Sequence, residues 1–396
     1  MDTLKNKVLE LAESYFPNVV SQRRHLHQYP ELSFKEFETS KYIAQQLDLL
    51  NIPYETGYVK TGIVALIKGK NPDKKTFALR GDMDALPIHE NTGLDFASKN
   101  KGVMHACGHD VHTSCVLGAA AILNSLKDQF EGTIKLIFQP GEEVLPGGAS
   151  LMIQEGALEN PKPAGIVGQH VYPQFKSGTV GFRKGMYMAS TDEIHLTVNG
   201  KGGHAAEPHL ITNPILMASE IILEVQKIND LGQQNNIPTI VSIGFVEGLG
   251  ATNIVPDQVY IQGTFRTLNE EWRKDVHQKI RNICSNISAK YQGHVNADIR
   301  NGYPYLENNP ELTERVQKYA TELLGTENVK QLDLRMGGED FSYYTHHIPG
   351  CFYRLGTSYP DQPSSGLHTS TFMVDEKALK TGISLLSWIA LQELNH

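Results

Sequence analysis

Three observations predict an α/β protein that carries a second, α+β unit within it. A strand–helix rhythm runs to about Gly185 and resumes after residue 300. A strand–helix–strand–strand–helix series lies between. Acids and histidines follow the ends of several predicted strands. The reading is a main domain at 1–185 and 301–396, with a mixed, largely parallel sheet between helices, and an inserted α+β domain at 186–300.

The elements justify this in order. Residues 3–28 read as a helix with a polar face, and Glu36–Leu50 as a second that ends before Pro53. Gly62–Lys68 and Thr76–Arg80 are strand runs. Val111–Lys127 is a small-residue helix of the kind that packs closely on a sheet. Thr133–Phe138 reads as a buried strand, Ala149–Glu155 as helix and Gly165–Gly168 as a short apolar strand. In the insertion, Thr191–Asn199 alternates like a half-buried strand. Helix Asn213–Asp230, strands Thr239–Glu247 and Gln258–Arg266, helix Asn269–Gln292 and strand Val295–Arg300 follow. Helix Pro310–Leu324, strand Cys351–Leu355 and helix Glu376–Glu393 complete the main domain.

Composition narrows the function classes. A chain of 396 residues exceeds one ordinary core and suits two domains. A net charge of −8 argues against nucleic acid, which needs a basic footprint. The best apolar runs, near Val116–Leu123 and Ile383–Leu391, fall short of the ~20 residues of a membrane span. Met1–Lys5 leads into polar sequence without the apolar core of a secretory signal. Cys107, Cys115, Cys284 and Cys351 show no disulfide framework and suit a reducing compartment, so a cytoplasmic location is expected.

The reactive residues gather where such a fold binds ligands, outside the carboxyl ends of its strands. Asp82 and Asp84 follow Thr76–Arg80, Glu142 and Glu143 follow Thr133–Phe138, His170 follows Gly165–Gly168, and His368 follows Cys351–Leu355 after a loop. The segment His105–His112 adds histidines, Cys107 and Asp110 just before a helix. One histidine there would read as a packing residue; the cluster reads as a metal site. Cys107 and His109, two apart, point to one side if the segment is extended. Their Cys–Gly–His spacing is not that of a structural zinc finger. A mixed sulfur, nitrogen and oxygen set suits zinc, manganese, cobalt or nickel. Adjacent Glu142 and Glu143 repel unless a cation offsets them, and one can ligate while the other serves as general base. Asp82 and Asp84 read as site residues because Ala85-Leu86-Pro87 starts no helix for them to cap. In the insertion, glycines expose His204, a candidate donor to a developing oxyanion. Arg266 is a candidate clamp for a substrate carboxylate, with Asn253 nearby in sequence. Gly337-Gly338-Glu339-Asp340 stays open between a turn and a supporting role, and His25 and His27 read as a helix face.

Taken together, the motifs are recognisable. They are Arg23-Arg24-His25-Leu26-His27 with Pro30-Glu31, Asp82–Pro87, Met104–Asp110, Gln139–Glu143, Gly202–Ala205, Gly337–Phe341 and Leu367-His368. In this order, over nearly the whole chain, they resemble the two-metal aminoacylase and glutamate-carboxypeptidase-like hydrolases. Within these the chain is similar to the branch of indole-acetyl-amino-acid hydrolases, hippurate hydrolases and N-acetyl-diaminopimelate deacetylases. The resemblance implies two divalent metals held by Cys107, His109, Glu143, His170 and His368, with Glu142 as general base and an active-site role for Asp82 and Asp84. It implies hydrolysis of the amide of a small N-acyl amino acid, with dipeptidase or carboxypeptidase activity as the alternative. It also implies a homodimer formed through the inserted domain, with His204 reaching an active site, its own or the partner subunit's. Two departures are Gly141, where the family's alanine is expected, and Thr369-Ser370 after His368, where a proline is expected nearby.

Overall fold

The computed structural model describes residues 2–361 and 365–396. The chain runs α1 (Asp2–Gln28), α2 (Phe37–Leu49), β1 (Tyr54–Tyr58), β2 (Gly62–Lys68), β3 (Thr76–Asp82), α3 (His109–Ser125), β4 (Thr133–Gln139), α4 (Gly148–Gln154), β5 (Ile166–Lys176), β6 (Val180–Phe182) and β7 (Gly185–Met188). It continues through β8 (Asp192–Asn199), β9 (Gly203–His204), α5 (Pro214–Gln234), β10 (Thr239–Glu247), β11 (Ile254–Val255), β12 (Gln258–Thr267), α6 (Glu270–Tyr291) and β13 (His294–Asn301). It ends with β14 (Leu306–Asn308), α7 (Pro310–Leu324), β15 (Val329–Gln331), α8 (Ser342–Thr345), β16 (Gly350–Ser358) and α9 (Lys377–Asn395).

Two compact units result. The first takes the residues up to Gly185, then Glu307–Asp333 and Asp340–His396; the second takes Met186–Leu306 and Leu334–Glu339. The return to the first unit comes later than residue 301. Beyond β13 the chain stays tied to the second unit, where Gly302 N–H donates to Asp192 Oδ1 at 3.0 Å and Tyr303 N–H to Thr191 Oγ1 at 2.8 Å.

The first unit is built on an eight-stranded sheet of order β1-β2-β4-β3-β5-β16-β6-β15. β4, β3, β5 and β16 run parallel, while β1, β2 and β6 introduce antiparallel pairs. The sheet is mixed and mostly parallel. β3, β4 and β16 are buried along their whole length, as strands covered on both faces must be. α3 packs on α1 and α9, and every residue from His109 to Leu123 is buried. Its small residues permit this: a Cβ on Gly118 would come within 2.5 Å of Ile383 and 2.7 Å of Val19. α7 begins at Pro310 behind Asn309, whose side chain accepts the Leu312 N–H at 2.9 Å.

Two strands differ from expectation. β5 runs to Lys176 because β16 pairs along most of its length, so His170 lies within the strand rather than after it. The apolar pattern showed only its covered start, before Gln169 and His170 interrupt the run. β1 is a polar, largely exposed edge strand, which leaves no periodic signal.

The second unit has a four-stranded antiparallel sheet of order β10-β12-β8-β13. Alternate residues of β8, Ile194, Leu196 and Val198, face a core shared with Ile221 and Val225 of α5 and Val276 and Ile280 of α6. Asn213 and Asn269 cap the two helices through Ile215 N–H and Trp272 N–H. Beneath them Asp192 accepts hydrogen bonds from Arg273, at 2.5 and 2.9 Å, and pairs with His277 at 2.8 Å.

Candidate active site

Parallel strands send their carboxyl ends to one edge, and the register aligns what they carry. Asp82 at the end of β3 is level with Gln139 at the end of β4. Arg80 is level with Gly168 of β5, which brings His170, two residues on, level with Asp82. Glu142 and Glu143 follow β4, and His368 follows β16, its N–H donating to Ala106 O at 2.9 Å.

Cys107 sits at the middle of the gathering. Its Sγ is 3.3 Å from His170 Nε2 and 3.3 Å from His368 Nε2. His368 Nε2 is 3.4 Å from Glu143 Oε1, and His109 Nε2 is 3.9 Å from the same oxygen. Cys107 therefore belongs to two sets of possible ligands, one with His109 and His170 and one with Glu143 and His368. Cys107 and His109 do not converge as neighbours in an extended strand. Gly108 turns the chain at φ +80°, and His109 is already the first residue of α3. That conformation suits glycine, and a Cβ there would also lie 2.6 Å from Val171.

The surrounding hydrogen bonds decide which ring nitrogens face inward. His112 Nε2 accepts the Val171 N–H at 2.8 Å, so its proton sits on Nδ1 and is donated to Asp82 Oδ1 at 2.6 Å. Both nitrogens of His112 are thus engaged by protein. His109 Nδ1 bonds to Asp84 Oδ1 at 3.1 Å, and His170 Nδ1 donates to Val171 O at 2.8 Å, which leaves both Nε2 atoms turned toward the cluster. Asp84 Oδ2 accepts from Ser33 Oγ at 2.6 Å and from Glu143 N–H at 3.0 Å. Asp82 Oδ2 is held by Arg80 at 2.5 Å, and Arg80 also reaches Gln139 at 2.9 Å and Asp340 at 2.7 Å. Asp340 in turn accepts from Gln139 at 2.8 Å and from Ala149 N–H at 3.0 Å, and its own N–H points to Glu142 Oε1 at 3.4 Å.

The charges explain the chemistry of the donor set. Burial works against ionised Asp82, but Arg80, His109 and His112 outweigh it and hold the carboxyl well below its usual range. Burial, then Arg354 and His112, push His170 down, keeping it in the neutral form that ligates. Burial also opposes charge on His109, yet Asp82 and Asp84 raise it. Hydrogen bonds to Cys107 and Glu143 lift His368 to about 10. The cluster's anions thus draw positive charge, a demand that divalent cations meet. His109 Nε2 and Glu143 Oε1 are buried and neither makes a well-formed hydrogen bond among the described residues, Glu143 Oε1 being approached only by the rings of His368 at 3.4 Å and His109 at 3.9 Å. Such atoms cost about 1–3 kcal/mol each when left unpaired, so a metal at these positions satisfies them. The residues fit a pair of transition-metal ions, for which Cys107, His109, Glu143, His170 and His368 would supply the donors.

Each expected ligand, Cys107, His109, Glu143, His170 and His368, is brought into this cluster, with buried Glu142 close to His109 and Glu143. Asp82 and Asp84 lie directly behind it, engaged by histidines. The Gly337–Asp340 stretch contributes Asp340 to the support. Sequence reasoning missed the roles of Arg80, Gln139 and His112; an arginine and a glutamine inside apolar strands were the available signal. His27 is not a solvent-facing helix residue: it is buried, bonded to Asp110 at 2.8 Å and to Glu90 at 3.1 Å.

His204, Asn253 and Arg266 all belong to the second unit. His204 on β9 pairs with Ile254 of β11, and Ala205 N–H donates to Asn253 O at 3.0 Å, so these two lie together. His204 is exposed, and its Nδ1 accepts the Ala206 N–H at 3.1 Å, which puts its proton on Nε2 as an outward donor. Arg266 stands on β12 opposite Ile240. Burial pushes its guanidinium down, against Asp192 and Glu193.

Comparison with known proteins agrees with this architecture. Residues 78–392 match the model of Peptidase family M20/M25/M40. The chain is 38% identical over 387 residues to an N-acetyl-L-cysteine deacetylase of Bacillus subtilis, covering 95% of this chain and 90% of the relative. It is 38% identical over 405 residues to thermostable carboxypeptidase 1 of Saccharolobus solfataricus, covering 100% and 99%. A solved Bacillus subtilis structure, a dinuclear metal-binding peptidase of the M20 family, superposes with a TM-score of 0.82 at 33% identity, covering 97% and 99%. The chain is an enzyme and belongs to Peptidase family M20/M25/M40.

Proposed function

We propose that the protein hydrolyses the amide bond of N-acyl amino acids, with acetyl, benzoyl or aryl-acetyl groups, releasing the acid and the free amino acid. The observation that carries this reading is the convergence of Cys107, His109, Glu143, His170 and His368 beside the buried carboxylate Glu142. The similarity to an N-acetyl-L-cysteine deacetylase supports the substrate class.

In this reading Cys107, His109, Glu143, His170 and His368 would hold the two divalent ions, from among zinc, manganese, cobalt and nickel. When bound, the metals supply Lewis acidity, lowering the pKa of a water and polarising the amide carbonyl. Glu142 receives the proton of the attacking water on its carboxylate and delivers it to the leaving amine nitrogen. Asp84 holds His109, the Val171 carbonyl holds His170 and His112 holds Asp82, so these groups need no rearrangement as the reaction proceeds. His204 offers its Nε2–H to the oxyanion, and Asn253 and Arg266 position the amino-acid portion. The second unit acts as a lid that brings His204 to the substrate.

The similarity to thermostable carboxypeptidase 1 favours a second reading, peptide cleavage by the same chemistry. A panel of N-acetyl and N-benzoyl amino acids beside dipeptides and blocked peptides separates the two. Release of free amino acid from the acylated set, with dipeptides inert, is expected. Turnover of peptides alone overturns the deacylase reading.

The same proposal includes a homodimer formed through the second unit. β10 is an edge strand, and Phe245, Val246 and Leu249 at its end are exposed, as are Leu216 and Leu223 on α5. An exposed apolar edge of this kind is what a second copy covers. A cytoplasmic location also belongs to it: the four cysteines are buried and unbridged, which fits a reducing compartment. No helix among the described residues is long and apolar enough to cross a membrane.

A further inference from the structure

Glu36 is fully buried at the start of α2, where an acid ordinarily faces the helix's own unpaired N–H groups. Its side chain makes no cap bond. Instead Oε1 accepts N–H groups from Phe34 at 2.8 Å and from Gly141 at 2.9 Å, and Oε2 accepts Thr61 Oγ1 at 2.9 Å. Gly141 is the residue before the paired glutamates. Its φ of +61° lies in the left-handed region, and a Cβ there would lie 2.4 Å from the Phe34 ring. Phe34 itself has φ +63°, a costly conformation for an aromatic residue. On its other side Gly141 is held by Gly148, whose N–H donates to its carbonyl at 2.9 Å. Ser33, from the same short segment, bonds to Asp84, the residue that accepts the Glu143 N–H. Ser33, Phe34 and Glu36 therefore form a seat under the Pro140–Glu143 turn.

We propose that Glu36 is a positioning residue for the hydrolysis: its carboxyl oxygen Oε1 fixes the backbone of Gly141 and so the directions in which Glu142 and Glu143 project. This rests on the reading of Glu142 as the base and Glu143 as a ligand. The physical case is one of satisfaction and reach. Gly141 N–H is inside the protein, and Glu36 is its acceptor. A turn with two consecutive functional side chains needs its backbone fixed, because a displacement of about 1 Å at a reacting group costs on the order of 100-fold in rate.

The test uses zinc-loaded full-length protein and the variants Glu36→Leu and Glu36→Gln. Glutamine keeps an oxygen for Gly141; leucine keeps the volume and offers no acceptor. In Glu36→Leu, amide exchange in the peptide over 139–148 is expected to speed up about tenfold while peptides from α9 and β16 are unchanged. Release of zinc to a chelator is expected to quicken, and kcat to fall roughly 100-fold with KM nearly constant. Glu36→Gln is expected to restore all three. Uniform acceleration of exchange across the first unit, or unchanged exchange over 139–148, overturns the proposal. If Glu36→Leu does not fold, the wild-type protein decides: a Gly141 amide that exchanges as freely as an exposed loop overturns it, and a protected one upholds it. The exchange measurements need no substrate. An exchange pattern as expected in a protein inert toward N-acyl amino acids upholds the seat and removes only the functional reading.

Discussion

At the scale of single residues, the site depends on which of two ring nitrogens each histidine turns inward. His109 and His170 each give Nδ1 to the protein and keep Nε2 for the cluster, whereas His112 gives both. Residue type alone does not distinguish these cases. His112 stands in the same cluster in sequence as His109, and only the Val171 N–H and the Asp82 carboxylate remove it from the ligand set. The five expected ligands stood out in the sequence as a cluster of cysteine, histidines and glutamate near strand ends and a helix start, although His170 lies inside β5 and His109 is the first residue of α3. Glu36 was not legible, since the sequence makes it the first residue of a helix, where an acid is favoured by the helix dipole alone. It carries a pH prediction of its own. Burial, with Asp84 adding to it, raises its carboxyl from 4.5 to about 7. Its neutral form is favoured in the folded chain, so its contribution to stability is full below about pH 4.5 and is lost as pH rises through about 7. In protein stripped of metal, Glu36→Gln removes this ionisation. The midpoint of Glu36→Gln relative to wild type should therefore rise between about pH 4.5 and 7 and level off above that in thermal unfolding. A difference that is flat with pH contradicts the account.

At the scale of elements, α3 joins fold to function. Its first residue is a candidate ligand, and its body packs on α1 and α9. The run of glycine and alanine at 118–121 was readable as close packing; the exact entry of the helix was not. The helix begins two residues earlier than the periodicity indicated, because His109 and Asp110 are polar residues buried by partners of their own. Asp110 is held by Arg23 and His27, each at 2.8 Å, which ties the start of α3 to the end of α1. Losing one partner from such a buried pair typically costs about 3–5 kcal/mol. Close packing makes Gly118 the sensitive point. Gly118→Ala improves helix propensity by about 1 kcal/mol. It also drives a methyl group into Ile383 and Val19, and overpacking of that kind costs about 1–3 kcal/mol. A lowered denaturation midpoint of the first unit is expected, and an unchanged or raised one means the helices part more easily than the structure indicates.

At the scale of the whole molecule, the sequence carries two cores, and the α/β class with a mixed, mostly parallel sheet was legible from strand–helix alternation. What escaped were the short or polar strands, β1, β6 and β15 among them, whose pairing is decided by neighbours far away in sequence. Residues 302–306 also belong to the second unit, and the tie of Gly302 to Asp192 that holds them there has no sequence pattern. The exposed edge at β10 sets the expectation for assembly. Light scattering should give about twice the 44.0 kDa chain mass, and Val246→Lys should reduce it toward one chain. A monomeric wild-type protein contradicts the dimer.

The central claim is that five residues hold the metals while Glu142 moves the proton, and Glu142→Gln tests it most directly. Glutamine keeps the shape of the side chain and cannot accept a proton. Metal content measured alongside turnover of an N-acyl amino acid should remain at two equivalents per chain while kcat falls by about 100- to 10,000-fold. Turnover kept near the wild-type rate at full metal content would contradict it.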